Sequence, residues 1–293
     1  MHVLAAFVLL APTVLGASFP AELFSPLVPQ KILATFKSLP NPTKYPQFTD
    51  QTAGDWQFFV PDTWTSGFFP ATGYALNTRK ALCGATSQNQ LGIANWLELS
   101  REASAALVSL EIKNGQGHDV GFLSYPFVEE LAVNPNNHTA TTAVNNFATL
   151  LANRFNPIVG CTRSWDSPDP DFQVIIDNMM NLEVLFHSAE LTGNDTLRHI
   201  ATTHADTTTK NHIRADGGTW HVIHYNTFTG TVTAKKTAQG FSDNSTWSRG
   251  EAWAIYGFAN MWKWTGNTAY RDTATRVANY FLGNIPSDGI VPW

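Results

Sequence analysis

Two aspartates stand at corresponding positions in the sequence, each at the beginning of an apolar segment of helical length. These are Asp119 and Asp177. Two carboxyl groups held close together cannot both ionise at low cost, so the pKa of one rises and that group can donate a proton near neutral pH. If both segments begin at one rim of the fold, the pair is a general acid/base. The alternative interpretation is that each Asp only caps a helix, since Asp is a favoured N-cap residue.

A cation and an aromatic ring occur near the start of a later segment of the same kind. Arg249 offers a planar guanidinium group suited to a carboxylate, and Trp253 lies one helical turn further on the same face. Together they favour an acidic sugar as ligand. The alternatives are that Arg249 pairs with Glu251 or a backbone carbonyl and that Trp253 belongs to the core.

Two further polar residues lie on or just after a predicted insertion, where binding residues are common. They are His221 and Gln239. His212 and His224 flank His221, but their spacing is poor for metal ligands and no acidic cluster accompanies them. We therefore predict no metal. The sequence also lacks a Gly-rich phosphate loop, a Gly-x-Ser-x-Gly elbow and a Cys/His nucleophile arrangement.

An internal repeat indicates how these residues are positioned. Thr192-Gly-Asn recurs 73 residues later as Thr265-Gly-Asn, and the Arg, Ala and Thr residues that follow keep the same spacing. In each copy an apolar helix ends at the Gly, and a second helix, capped near the Asn, runs back antiparallel. The sequence thus predicts a mostly α-helical fold built from helical hairpins.

Four segments begin alike, at positions 62, 119, 177 and 250. The last interval is longer because two strands, Trp220–Tyr225 and Thr229–Lys235, form an inserted β-hairpin. Hairpins repeated in this way can close into a ring whose inner helices all begin on one rim. Apolar residues nearly all round Ala252–Trp264 predict an inner helix buried on most sides, and Leu99–Leu110 has the spacing of an amphipathic outer helix.

A closed ring of six hairpins would need roughly 50 to 100 more residues than the chain has. We therefore expect one domain, residues 18–293, that is a C-terminally truncated barrel with an apolar seam where the ring does not close.

Five ordered segments, from about residue 55 to the end, resemble the unsaturated glucuronyl hydrolases of glycoside hydrolase family 88. The resemblance implies an (α/α)6 barrel and no cofactor. It further implies that Asp177 is the general acid/base, that Asp119 is its partner carboxylate, and that His221, Gln239, Arg249 and Trp253 contact substrate. Glu251 stands where the family usually has Gln, which would place a third negative charge near an anionic substrate. The segments are Asp62-Thr-Trp-Thr-Ser-Gly-Phe-Phe-Pro, His118-Asp-Val-Gly-Phe, Ile176-Asp-Asn-Met-Met-Asn-Leu, Gln239-Gly-Phe-Ser-Asp and Trp247-Ser-Arg-Gly-Glu-Ala-Trp-Ala-Ile-Tyr-Gly.

The activity implied by this resemblance is removal of a 4,5-unsaturated uronic acid from the non-reducing end of oligosaccharides that polysaccharide lyases produce. The C4=C5 double bond would be hydrated. One alternative is the related unsaturated rhamnogalacturonyl hydrolase, which shares barrel and chemistry. Another is a noncatalytic carbohydrate-binding relic of the barrel.

Composition and the chain ends indicate location and partners. The net charge of −5 without a Lys/Arg run argues against nucleic acid, and after the first fifteen or so residues no apolar stretch is long enough to span a membrane. Residues 1–17 resemble a secretory signal peptide, which predicts a secreted protein. Cys83 and Cys161 permit one disulfide, and nothing in the sequence indicates an oligomeric state. Three sequons, at Asn137, Asn194 and Asn244, predict a glycoprotein.

Overall fold

The computed structural model describes residues 21–293. The predicted signal peptide, residues 1–17, lies outside the described residues. The α-helices of the described part are α1 (Leu27–Lys37), α2 (Phe68–Cys83), α3 (Trp96–Ser104), α4 (Val120–Val133), α5 (His138–Ala152), α6 (Glu183–Thr192), α7 (Asp195–Asn211), α8 (Ser248–Thr265) and α9 (Thr268–Gly283). None of them combines the length and the apolar character that a bilayer crossing demands.

Consecutive helices pack in pairs, α2 with α3, α4 with α5, α6 with α7 and α8 with α9. The first helices of the pairs also contact one another in the order α2, α4, α6, α8, so they form the inner row and their partners the outer row. The predicted all-α class with alternating inner and outer helices is confirmed. Most of the buried apolar residues form a single core cluster around these helices.

The Thr-Gly-Asn repeat has a clear structural meaning. Gly193 and Gly266 end the inner helices α6 and α8 in the left-handed region, with φ of 72° and 69°, where a residue with a Cβ is strained. The following asparagine accepts a backbone N–H at the start of each outer helix. Outer helices α3, α5, α7 and α9 all begin this way, at Asn95, Asn137, Asn194 and Asn267.

The outer helix predicted over Leu99–Leu110 is interrupted. Helix α3 ends at Ser104, and Ala105–Glu111 continues as a 3₁₀-helix. Near this point two side-chain hydroxyls donate hydrogen bonds to backbone carbonyls of the helix. Ser104 Oγ donates to the Ser100 carbonyl at 2.7 Å, and Tyr45 Oη donates to the Ala103 carbonyl. Such hydrogen bonds compete with a continuing α-helix.

The expectation that Ala252–Trp264 is buried on most sides is wrong. Helix α8 buries Phe258 and Met261, but Tyr256 and Trp262 are 47% and 42% exposed. The helix packs against α9 and against the 3₁₀-helix at Ile176–Met180, which together cover only part of its circumference. Its apolar composition therefore overstates its burial.

The inserted hairpin is present, but it belongs to a larger sheet than predicted. Strand β6 (Val222–Asn226) pairs antiparallel with β7 (Val232–Lys236) and also with β5 (Asp171–Ile175), which the sequence analysis missed. Two short two-stranded sheets were also not predicted from the sequence. These are β1 (Tyr45–Thr49) with β2 (Trp56–Phe59) and β3 (Phe155–Asn156) with β4 (Cys161–Thr162).

The two cysteines do not form the disulfide that the sequence permits. Cys83 is exposed at the end of α2, whereas Cys161 is buried in β4, and both are free. The fold holds their thiols on different elements.

Candidate active site

Asp177 lies where strand β5 runs into a 3₁₀-helix, Ile176–Met180. The strand end is fixed on both sides, since Ile175 N–H donates to Ser164 Oγ at 2.9 Å and Ile176 N–H donates to the His221 carbonyl at 3.0 Å. Asp177 is buried, with 8% of the residue's surface exposed. A rigid, dry setting therefore holds this carboxyl group.

Asp119 lies at the N-cap position of α4, yet it does not act as a cap. Its side chain accepts no hydrogen bond from the first turn of the helix. The capping interpretation is therefore wrong for Asp119, and its carboxyl group is free to face the neighbouring inner helix.

The segment starting at position 62 does not begin a helix there, because α2 starts at Phe68. Instead the Asp62 carboxylate accepts hydrogen bonds from Gly115 N–H at 2.9 Å and from Gln116 Nε2 at 2.7 Å. These bonds hold the loop that leads into Asp119, so Asp62 supports the site without reaching its centre.

The two predicted acids share one environment. Burial raises the pKa of Asp177 to about 7, and burial together with the negative charge of Asp177 raises the pKa of Asp119 to about 8. Two neighbours work against the shift at Asp119, the amide of Asn181 and the positive charge of Arg154. The sequence predicted one raised pKa, caused by mutual repulsion of the two carboxyl groups. In the structure the pKa values of both aspartates are raised, and the removal of water from around the carboxyl groups is the larger cause.

His221 lies just before β6 with its ring directed at the acids. Its Nδ1 accepts a hydrogen bond from Ala238 N–H at 3.2 Å, and its Nε2 lies 3.8 Å from Asp177 Oδ2. Burial lowers the pKa of His221 to about 4, so the ring is neutral near pH 7. Because Nδ1 accepts, the single ring proton is on Nε2 and points toward Asp177.

Arg249 and Gln239 are joined by a hydrogen bond from Arg249 Nη2 to Gln239 Oε1 at 2.6 Å. The guanidinium group lies 4.4 Å from the ring centre of Trp247 and 5.8 Å from those of Trp64 and Trp293. Its positive charge lowers the pKa of Asp177, so it faces the same cleft. The interpretation that Arg249 pairs with Glu251 is wrong.

Trp253 is half-buried and faces the cleft. Its indole acts on the Asp177 carboxyl group and lowers that pKa, and its ring centre lies 5.7 Å from that of Phe122. The structure thus brings Asp119, Asp177, His221, Gln239, Arg249 and Trp253 to one place.

Glu251 does not present a third negative charge to this cleft. Its side chain is fully buried, and burial raises its pKa to about 7. The groups that act on it are Thr219, Arg214 and Asp216, and neither Asp119 nor Asp177 is among them. The predicted effect on an anionic substrate therefore has no structural basis.

Several residues of the site were not predicted from the sequence. Trp64, His118 and Asn181 lie within the segments that carry the family resemblance, so they could have been noticed. Ser164, whose carbonyl contacts His118, and Trp165, which lies beside His221, carry no sequence signal and are brought in by the fold. Across residues 21–293 no cluster of three His, Cys, Asp or Glu side chains is arranged to hold a metal ion.

Comparison with known proteins identifies the family. No protein-family model matches the chain. An unsaturated glucuronyl hydrolase of Formosa agariphila is 38% identical over 235 residues, which is 78% of this chain and 56% of that protein. The chain thus spans little more than half of that curated relative.

Solved structures agree with the curated relative. An unsaturated glucuronyl hydrolase specific for heparin has a TM-score of 0.79 and 31% identity, covering 90% of this chain and 68% of that one. A variant of an unsaturated glucuronyl hydrolase (UGL) with dGlcA-Glc-Rha-Glc has a TM-score of 0.76 and 28% identity, covering 89% of this chain and 67% of that one. These structures are (α/α)6 barrels, which confirms the predicted fold class. The chain therefore belongs to the unsaturated glucuronyl hydrolases of glycoside hydrolase family 88.

Proposed function

We propose that this chain is a glycoside hydrolase that removes a 4,5-unsaturated uronic acid from the non-reducing end of oligosaccharides by hydrating the C4=C5 double bond. One observation carries the proposal. Two carboxyl groups with raised pKa values, the partly buried Asp119 and the buried Asp177, share a cleft with the cation of Arg249. The heparin-specific and dGlcA-containing structures among its relatives support the same substrate class.

Asp177 is the proposed general acid/base. With a pKa of about 7 it holds a proton at mildly acidic pH and can deliver it to C4 of the sugar. The resulting carboxylate then takes a proton from water as the water oxygen bonds to C5. The product is a hemiketal, which opens, and the glycosidic bond breaks without further catalysis.

Asp119 is the proposed partner. Positive charge develops near C5 and the ring oxygen after C4 is protonated, and a carboxyl oxygen placed beside that charge stabilises it. Asp119 is close enough to Asp177 for its pKa to respond to that charge.

Arg249, Gln239, His221 and Trp253 are the proposed binding residues. Arg249 is a fixed cation for the sugar carboxylate, because three indole rings and Gln239 hold its guanidinium group. His221 remains neutral and donates through Nε2, so it can bind a sugar hydroxyl without repelling Arg249. Trp253 offers a ring face for stacking.

The test follows the conjugated double bond. Purified protein is mixed with an unsaturated disaccharide, and the ultraviolet absorbance of the C4=C5 chromophore is recorded with proton NMR of the products. Loss of absorbance with release of an open-chain keto acid is expected. Binding by calorimetry with unchanged absorbance would instead establish the noncatalytic carbohydrate-binding alternative.

The rhamnogalacturonyl alternative is tested with two disaccharides that carry the same unsaturated uronic acid. One has an amino sugar at the reducing end, and the other has rhamnose. We expect faster hydration of the first, and a preference for the second would reverse the assignment.

We also propose that the protein is secreted and glycosylated. Support comes from the apolar stretch at residues 3–15 and from the exposed sequon residues Asn194 and Asn244. Asn137 is a poorer acceptor, because it is half-buried and its Nδ2 donates to Glu130 Oε1 at 2.9 Å. Expression in a eukaryotic secretory host followed by N-terminal sequencing and glycopeptide mapping should show cleavage near residue 17, with glycans at Asn194 and Asn244 more often than at Asn137.

A further inference from the structure

Trp293 lies in a stretch, residues 289–293, that belongs to no helix or strand and follows the outer helix α9. Trp293 is 65% exposed, so burial does not hold it in place. Its hydrogen bonds instead join it to two elements of the candidate site, the start of α8 and the loop that carries Gln239.

The Trp293 carbonyl caps the start of α8. The N–H groups in the first turn of a helix have no partner within the helix, and Trp247 at the N-cap position provides no side-chain acceptor. Ser248 N–H donates to the Trp293 carbonyl at 3.1 Å, and Ser248 Oγ donates to the same oxygen at 3.1 Å. Because Ser248 directly precedes Arg249, Trp293 is tied to the helix start that carries Arg249.

The Trp293 side chain binds the loop that carries Gln239. Its indole Nε1 donates to the Gln239 carbonyl. The Gln239 side chain in turn accepts from Arg249 Nη2 at 2.6 Å. Gln239 is thus bound through its main chain by Trp293 and through its side chain by Arg249.

The indole rings restrict the Arg249 guanidinium group further. Its central carbon lies 4.4 Å from the ring centre of Trp247 and 5.8 Å from those of Trp64 and Trp293, within the range of a cation–π interaction. Within residues 21–293 Arg249 Nε has no hydrogen-bond partner. The bond from Nη2 to Gln239 and the rings therefore set the direction of the group.

We infer that Trp293 is a positioning residue for Arg249, because it joins the Gln239 loop to the start of α8 and so fixes the plane in which the guanidinium group meets the substrate carboxylate. This role deepens the proposed function and rests on it for the identity of the ligand. A guanidinium group makes two parallel hydrogen bonds to a carboxylate only when the two planar groups align. Loss of the Trp293 contacts should therefore reduce affinity for the carboxylate.

The proton transfer at Asp177 should be little affected by Trp293. The side chains that act on the Asp177 carboxyl group are Arg249 and Trp253, and Trp293 is not among them. Trp293 also carries no charge. A change at this residue should therefore raise KM without a matching fall in kcat.

The Nε1 proton of Trp293 tests the contact without substrate. Its NMR signal is the one that Trp293→Phe removes. Because this N–H donates to the Gln239 carbonyl, we expect it to exchange with water markedly more slowly than the indole N–H of free tryptophan, although the residue is exposed. Exchange as fast as in free tryptophan would overturn the inference.

Two variants test the role in binding. Trp293→Phe keeps an aromatic ring beside Arg249 but has no Nε1 donor, so KM for the unsaturated disaccharide should rise about 2- to 10-fold, the effect of one hydrogen bond, with kcat nearly unchanged. Trp293→Ala also removes the ring and should raise KM further. The KM of the substrate methyl ester should stay near its wild-type value, because the ester has no carboxylate for Arg249 to bind. A KM that rises equally for acid and ester, or for neither, would contradict the assigned role.

Trp262→Phe is the matched control. Trp262 is 42% exposed further along α8, where its ring centre lies 5.9 Å from the Arg271 guanidinium group. This variant loses an exposed indole from α8 itself, and both KM values should be those of wild type. The same rise in KM as in Trp293→Phe would show that the effect is not specific to Trp293 and would remove the inference.

Calorimetry separates this role from the proposed function. If wild type binds the disaccharide without hydrating it, Kd takes the place of KM in the same comparison. Weaker binding of the acid alone by Trp293→Phe then keeps the positioning role while the proposed function fails. An active enzyme whose Trp293 variants retain the wild-type KM loses the positioning role alone, and a wild type that binds neither disaccharide removes both.

Discussion

Gly121 and Asn181 pack against each other so closely that a Cβ on Gly121 would lie 2.6 Å from the Asn181 Cα. The same contact is tied by a hydrogen bond from Phe122 N–H to Asn181 Oδ1 at 3.1 Å. Gly121 follows Asp119 by two residues and Asn181 follows Asp177 by four. This backbone approach therefore sets the separation of the two carboxyl groups.

Gly121→Ala should push the start of α4 away from the segment that carries Asn181. A methyl group 2.6 Å from backbone forces the chain to shift, which we expect to cost about 1–3 kcal/mol of unfolding free energy. Urea unfolding measures the loss, and hydration activity should fall in parallel. Gly283→Ala is the matched control, since a Cβ there meets no atom within 4 Å. Equal stability of the two variants would show that the contact is not restrictive.

Asp177→Asn should abolish the proton transfer while keeping the shape of the cleft. We expect kcat for hydration to fall by about 10²- to 10⁴-fold, the usual contribution of a general acid. Binding of the unsaturated disaccharide, measured by calorimetry, should persist. Asp272→Asn, an exposed change on α9, is the control and should leave kcat unaltered. Undiminished activity of Asp177→Asn would refute the assigned role.

The pH dependence of kcat/KM should reflect the protonation of Asp177. Asp177 must carry a proton to act as the acid, so kcat/KM should fall as the pH rises through about 7. A profile of kcat/KM against pH on both sides of this value tests the direction of the change. Activity that increases continuously into the alkaline range would rule out Asp177 as proton donor.

Arg249→Lys should weaken binding more than catalysis. Lysine keeps the charge but loses the planar group that Trp247 and Gln239 hold, so KM should rise roughly 10- to 100-fold with a smaller change in kcat. The substrate methyl ester is the control, because it has no carboxylate for Arg249 to bind. An equal rise in KM for the ester would indicate a structural effect.

Glu251→Gln should stabilise the protein at alkaline pH. The pKa of Glu251 is raised in the folded state to about 7, so the folded protein binds the proton more tightly than the unfolded chain and loses stability as the pH rises from about 4.5 to 7. Gln cannot ionise. The gain in unfolding free energy should be near zero at about pH 4 and about 3 kcal/mol at about pH 8.

Urea unfolding of both proteins at these two pH values measures the difference. Glu102→Gln serves as the control for the substitution itself, since Glu102 is exposed on α3. A constant difference between wild type and Glu251→Gln across the range would mean that folding does not change the pKa of Glu251.

The sequence determined the repeating architecture. Thr192-Gly-Asn and Thr265-Gly-Asn place a left-handed glycine at the end of an inner helix and an asparagine cap at the start of an outer one, and these effects are local. Equivalent positions in repeated hairpins then lie on one rim, which is why Asp119 and Asp177 could be paired before any coordinates.

Tertiary structure decided the chemical state of the site. Burial is the larger cause of both raised aspartate pKa values, and burial depends on every element that covers the cleft. The Ser164 carbonyl that contacts His118 Nδ1 and the His221 ring beside Asp177 each lie more than 40 residues from their partner in the sequence. Such contacts have no local pattern, because they arise only when the sheet of β5, β6 and β7 packs against the starts of the inner helices.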